Sequence, residues 1–268
     1  MTSLRVMTFN VRGSQHPDSP NAWKQRAALN VEVVRRYAPD LIGLQEFQEG
    51  NLATYDSELP GYRHVLGPPY ENREPYAHNA VYWNPGRLEL RESGGFWLSE
   101  TPRERSRSWK SSHVRSATWA RFRLLPEGTD LLHLNTHLDH LSGRARVEGS
   151  RLIARTLEEL GGRSLPMLLT GDFNCDPGSR TYRIYEDAGF ADAHRVAGNP
   201  PATTFHRFRG AEFKSKVPGR ETRLDWVLLR GGGERSWTVL SCTTVRDSDP
   251  PRYPSDHYPV LARLSLEA

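Results

Sequence analysis

Short apolar runs that carry a polar residue at one end recur along this chain, and they restrict it more than any other feature. "TFNVRG" holds Asn10, "LIGLQEF" Glu46, "HLNTHLDH" Asn135 and His137, "LLTGDFNCDP" Asp172 and Asn174, "TRLDWVLL" Asp225, and "YPSDHYPV" Asp256 and His257. Runs of this kind, bounded by turn residues, read as buried strands that deliver their last side chains to a surface. Strand-like stretches fall at 5–11, 41–45, 79–83, 117–123, 131–135, 167–171, 224–229, 237–245 and 258–266. Several follow one another with no helical pattern between them, as from Asn79 to Asn135, which predicts antiparallel ladders rather than a purely alternating α/β sheet.

Helical periodicity is clearest in two segments. Residues 22–37 place Trp23, Ala27, Val31, Val34 and Tyr37 on one side, and residues 144–160 align Val147, Ile153, Ala154 and Leu157 before stopping at Gly161 and Gly162. Two packed sheets with helices outside them fit this pattern. The polar strand ends then converge on one rim.

Taken singly, each of those ends is weak. Alternation turns Asp172 and Asn174 to the same side of an extended chain, yet Asp and Asn before Pro177 and Gly178 also describe an ordinary strand exit. A lone Glu or His after an apolar run is more often a loop or structural residue. Six such ends together supply carboxylates, amides and histidines, a set of oxygen donors for a hard divalent cation and groups able to move protons.

Composition narrows the setting. At 268 residues, with no repeat, linker or low-complexity segment, one domain over residues 1–268 is the simplest organisation. No apolar run is long enough to span a bilayer, and the opening "LRVMTFNV" lacks the features of a signal peptide, so a cytoplasmic monomer with no membrane partner is expected. Two cysteines, Cys175 and Cys242, make neither a disulfide framework nor a thiolate metal cluster. The net charge of +4 is uneven: "RERSRSWKSSHVRSATWARFR" and the set Arg144, Arg146, Arg151 and Arg155 form basic segments. These either contact phosphates, with Trp109 or Trp119 stacking on a base, or are solvated faces over core tryptophans.

The ordered set Asn10, Glu46, His137, Asp172-x-Asn174, Asp225 and Ser255-Asp256-His257 resembles the endonuclease/exonuclease/phosphatase superfamily, over essentially the whole chain. The resemblance implies a deoxyribonuclease I-like fold: a four-layer α/β/β/α sandwich of two mixed, mainly antiparallel sheets flanked by helices. It implies Glu46 as a ligand of Mg²⁺ or Mn²⁺ with Asn10 and Asp256 close by, Asp172 orienting or deprotonating the attacking water, and Asn174 holding the phosphate. His257 would donate to a phosphoryl oxygen with Asp225 holding its ring, and His137 would be a second donor. Arg115 is expected as a further phosphate clamp. His206, in "TTFHRFRG", either reads the group beyond the phosphate or only packs its loop.

Departures narrow the branch. His137 stands where the abasic-site repair branch carries a tyrosine, and "LTGDFNCDP" and "TRLDWVLL" lack the features of inositol-polyphosphate phosphatases. "PNAWKQR", "FWLSETP", "TWARFR" and "NTHLDH" are most similar to bacterial stand-alone members related to the catalytic domain of Ccr4-type deadenylases. The expected activity is hydrolysis of a phosphodiester in a nucleic acid or nucleotide. The alternatives are a phosphomonoesterase or a phospholipid-headgroup phosphodiesterase on the same site, and, further off, a silent nucleic-acid-binding module.

Overall fold

A computed structural model describes residues 3–215 and 222–267. In chain order its first half contains β1 (Ser3–Asn10), α1 (Trp23–Tyr37), β2 (Leu41–Gln45), α2 (Glu49–Glu58), β3 (Arg63–Val65), β4 (Val81–Trp83), β5 (Leu88–Trp97), β6 (Ser116–Leu124) and β7 (Thr129–His137). The second half contains α3 (Gly143–Gly161), β8 (Met167–Asp172), α4 (Arg180–Asp187), β9 (Ala191–Asp192), α5 (Ala193–Val196), β10 (Asp225–Arg230), β11 (Ser236–Thr244) and β12 (Val260–Glu267). These strands form two six-stranded sheets, ordered β11-β12-β1-β2-β4-β3 and β5-β6-β7-β8-β10-β9. Among the described residues only β1–β2 and β7–β8 pair in parallel, so both sheets are mixed and mainly antiparallel. Among the described residues no helix is long and apolar enough to cross a membrane.

Alternation along the strands sorts the apolar side chains into three layers. Leu4 and Val6 of β1, Leu41 of β2, Leu131 of β7, Leu168 of β8, Val227 and Leu229 of β10 and Leu264 of β12 meet between the sheets. Met7, Phe9, Ile42 and Leu44 face the other way, onto Val31 and Val34 of α1 and Tyr55 of α2. Leu132, Leu134, Leu169 and Trp226 back onto Ile153 and Leu157 of α3 and Tyr182 and Tyr185 of α4. Helix, sheet, sheet and helix are thus four layers separated by three apolar seams, the sandwich that the resemblance implied.

The seam between the sheets changes character along its length. Past the apolar stretch lies a buried polar belt, where Asn135 Oδ1 accepts from Gln45 Nε2 at 2.7 Å and Thr170 Oγ1 at 3.2 Å, and Thr170 Oγ1 lies 2.8 Å from His133 Nε2. Asn135 Nδ2 donates across to Leu44 O and Ala80 O in the opposite sheet. Gly43 faces this belt, where a Cβ would collide with the Thr170 hydroxyl and the Asn135 amide. The next inward positions on the same strands are Asn10, His137, Asp172 and Asp225. The same period that fills the core therefore aims these four side chains at the rim.

Differences from the sequence reading lie where tertiary contacts override local pattern. The buried stripe of α3 is Ala145, Gly149, Ile153 and Leu157, with Val147 and Ala154 only half-buried. The buried face of α1 includes Arg26 and Asn30 as well as its valines. Strand β5 has no counterpart among the apolar runs: it is a sheet edge carrying exposed Glu89, Arg91 and Glu92, with a bulge between Leu90 and Glu92.

Candidate active site

Above the polar belt the strand ends form the floor of a cleft of about 860 Å³. Asp172, the last residue of β8, accepts from the Asn174 backbone N–H and from Asn10 Nδ2, both at 3.0 Å. The Asn10 amide also donates to Glu46 Oε1 at 3.0 Å, while its own oxygen accepts from Arg12 N. Asn10 therefore shows nitrogen to the two carboxylates and orients both. On the other side of Asp172, Oδ2 lies 3.3 Å from His137 Nε2 and 3.7 Å from His257 Nε2. His257 Nδ1 bonds Asp225 Oδ2 at 2.9 Å, directly behind it. Asn174 Nδ2 donates to Leu138 O and lies 2.9 Å from His137 Nε2, and His137 Nδ1 lies 3.2 Å from Tyr70 Oη.

The loops leaving the strands are held open by backbone geometry and by buried polar anchors. Arg12, Glu46, Glu71, Asn174, Arg207 and Phe208 all have φ between 50° and 85°, the left-handed region, and all line the cleft. Each such non-glycine residue costs on the order of 1 kcal/mol, so their gathering here marks backbone shaped for a site rather than for stability. The Arg26 guanidinium, sealed under the floor, donates to Val11 O at 2.6 Å and Pro254 O at 3.0 Å, and also to Arg12 O. Asn30 adds a second bond to Pro254 O, and the Tyr55 hydroxyl holds Asn30. One helix face thereby ties the loop after Asn10 to the loop carrying Asp256 and His257.

Burial and neighbouring charge set the protonation of the floor. Burial opposes a charge on His257, but Asp225 and then Asp172 outweigh it and raise its pKa to about 10, so it is an imidazolium at neutral pH. Burial, with Asp225 adding repulsion, pushes Asp172 up to about 7. His137 falls well below the ordinary imidazole value through burial and the nearby Arg115. It is neutral there, and its one ring N–H remains able to donate, with Nε2 3.3 Å from Asp172 Oδ2. Burial would also raise Glu46, but the hydrogen bond from His16 and the charges around it bring its carboxyl well below the usual range.

Whether these residues suit a divalent cation is a matter of their donors. Glu46 and Asp256 both face the cleft, and the Arg12 guanidinium lies 3.9 Å from an oxygen of each. Two carboxylates sharing one guanidinium at that range leave negative charge for a cation, and their hard oxygens suit Mg²⁺ or Mn²⁺. Three ligand atoms at metal-like spacing occur among the described residues in Asp172, Asp225 and His257 on the floor, and in the cluster of His113, Asp139 and His140 at the cleft wall. The centre of the wall cluster is filled by the Ser112 hydroxyl, 2.5 Å from Asp139 Oδ2, 3.0 Å from His113 Nδ1 and 3.3 Å from His140 Nδ1. That cluster is a hydrogen-bond hub of the wall.

Arg115 also lines the cleft, nearly fully buried over the Tyr70 ring. Its Nε and Nη1 have no hydrogen-bond partner among the described residues, and the nearest carboxylate oxygen to Nη1, from Glu71, is 4.0 Å away. His206 does not reach the cleft. It is stacked on Tyr258 at 3.9 Å and accepts from Gly210 N, so packing of the loop explains it. Cys175 is buried, with its thiol pushed up to about 11 by burial, which leaves it inert. Five arginines of the basic segments support structure: Arg105 caps Glu71 O, Arg121 caps Leu160 O, Arg123 pairs with Asp130, Arg146 caps Asp139 O and Arg151 pairs with Glu148. Tyr70, Arg12, His16 and Arg26 belong to the site and carried no readable signal, because their partners are distant in sequence and their own neighbourhoods read as loop or helix face.

Residues 7–257 match the sequence pattern of the Endonuclease/Exonuclease/phosphatase family, and the chain belongs to it. It is a hydrolase of phosphate-ester bonds. A Bacteroides thetaiotaomicron mannosyl-6-phosphatase has a similar structure at TM-score 0.87, with 29% identity over 99% of this chain and all of that one. Nocturnin from Xenopus laevis is 25% identical over 96% of this chain and 70% of its own length; the rat and mouse Nocturnins are spanned over 63%. The human Nocturnin catalytic domain with bound sulfate shares the fold, at TM-score 0.77 and 21% identity over 99% of this chain and 94% of that one.

Proposed function

We propose that the protein hydrolyses a phosphate ester by attack of water, assisted by a divalent cation at Glu46 and Asp256. The observation that carries this is Asp172 set between three partners: Asn10 links it to Glu46, and His137 and the His257–Asp225 pair flank its other side. The cation, Mg²⁺ or Mn²⁺, would neutralise charge on the phosphoryl oxygens and on the leaving oxygen. Positive charge beside Asp172 favours its carboxylate form, which takes a proton from the attacking water. His257 enters as an imidazolium and donates from Nε2 to a phosphoryl oxygen, with Asp225 keeping the proton on the ring. Asn174, through its backbone N–H, and neutral His137 beside Asp172 Oδ2 hold the carboxylate in line. The unpartnered donors of Arg115 take a further phosphoryl oxygen, because a buried guanidinium left uncompensated costs several kcal/mol.

Two observations favour a small phosphomonoester, such as a sugar phosphate, over the phosphodiester of a nucleic acid or nucleotide. Arg105, Arg121, Arg123, Arg146 and Arg151 of the basic segments are engaged in contacts within the protein, and a full-length likeness at 29% identity is to a mannosyl-6-phosphatase. The test is hydrolysis of a panel of sugar phosphates, nucleotides, RNA, DNA and phospholipids in Mn²⁺ or Mg²⁺, with EDTA and Asp172→Asn as blanks. Release of inorganic phosphate that disappears with EDTA and drops by about a thousandfold or more in Asp172→Asn is expected. Unchanged rates in either blank defeat the mechanism, and turnover confined to polymers defeats the substrate assignment.

A further inference from the structure

The loop between β1 and α1 is pinned far more heavily than a connection needs. Arg12 forms a two-pronged pair with Asp18 at 2.8 and 3.0 Å, the Ser14 N–H donates to Asn51 Oδ1 and the Gln15 N–H to Gln48 Oε1. Arg26 holds the carbonyls of Val11 and Arg12 from below. Gly13 lets the loop lie against Gln48, whose side chain a Cβ would strike. What this fixed loop presents to the cleft is His16, with Nε2 2.9 Å from Glu46 Oε2.

We propose that His16 is a ligand of the divalent cation at Glu46, adding one nitrogen to an oxygen site and tilting it toward Mn²⁺ over Mg²⁺. This rests on the reading that a cation binds at Glu46. Asn10 holds Glu46 Oε1, while Oε2 meets His16 Nε2 at 2.9 Å with only the longer Gly13 N–H at 3.5 Å and Arg12 Nη1 at 3.9 Å beside it, so an ion entering here would sit between Oε2 and that ring nitrogen. Mg²⁺ takes oxygen ligands and keeps its waters, whereas imidazole suits the transition ions. A neutral imidazole also adds affinity without adding to the negative charge of Glu46 and Asp256. The opposite arrangement, an imidazolium that occupies the ion's place, predicts the opposite sign: removing His16 would tighten the ion.

Binding of Mn²⁺ alone to the metal-stripped protein, followed by electron paramagnetic resonance, with Mg²⁺ as competitor, decides between them. His16→Ala is expected to weaken Mn²⁺ by roughly tenfold or more and Mg²⁺ by less than about twofold. The wild-type Mn²⁺ complex should show a nitrogen coupling in pulsed spectra, a readout that needs no variant. An absent coupling, or Mn²⁺ bound equally or more tightly by His16→Ala, overturns the proposal. Undiminished Mn²⁺ binding by Glu46→Gln would overturn it together with the cation site on which it rests.

Discussion

Asp225 never touches the cleft, yet it decides what His257 can do. Buried and bonded to Nδ1 at 2.9 Å, it is the largest influence keeping the ring charged against the cost of burial. Asp225→Asn removes that influence, so the His257 pKa should fall from about 10 to the ordinary imidazole range or below. In the wild type the donor should stay protonated from pH 6 to 8, so any change in kcat there follows the base Asp172, whose pKa lies near 7. In the variant the donor is lost as pH rises through that range, with kcat at pH 8 lower by about a hundredfold or more. A parallel pH profile in the two proteins, or an unmoved His257 titration by NMR, would refute this. Residues of this kind were readable in part. Asp225 and His257 each stand at the end of an apolar run, whereas Arg26 carries no such signal, because its acceptors, Val11 O and Pro254 O, come from two other loops.

Among the elements, the strands that build the seam between the sheets were legible because each alternates and ends on a polar side chain. The edge strand β5 was not, since an edge needs no continuous apolar face, and α2 was missed because its buried residues, Asn51 and Tyr55, make no apolar stripe. The polar belt has a measurable cost. His133 lies wholly buried in it, and burial pushes its pKa down to about 3; His206, buried beneath its own loop, is brought equally low. A depressed imidazole contributes stability that is complete above the unfolded value near 6.5 and is lost as pH falls toward the folded value. Each of the two should therefore remove up to about 1.4 kcal/mol per pH unit below pH 6.5. Urea midpoints at pH 7 and pH 5 test this: His133→Asn should lose clearly less stability between them than the wild type does. An identical difference in both proteins would mean that His133 is not the group being protonated.

At the scale of the whole molecule the site lies in a cleft at the rim of the two sheets, and many of the arginines are held in ion pairs. Its dependence on salt should reflect that. Raising NaCl from about 50 to about 200 mM should change KM by less than about threefold, against the thousandfold or greater loss seen when many phosphates of a polymer are neutralised at once. A steep slope would restore the nucleic-acid reading. The pairing of β1 with β12, Ser3 against Ser265 through Thr8 against Val260, reaches beyond architecture. It closes the longest loop the chain can make, and closure of that kind is slow because the entropy of a long loop is lost before any contact repays it. Asn10 sits at the end of the first of these strands, while Asp256 and His257 lie just before the second. A partly folded chain therefore has no partial activity. On dilution from urea, turnover should return only with the slowest phase of tryptophan fluorescence, and activity that ran ahead of it would show that the site assembles before the sheet is closed.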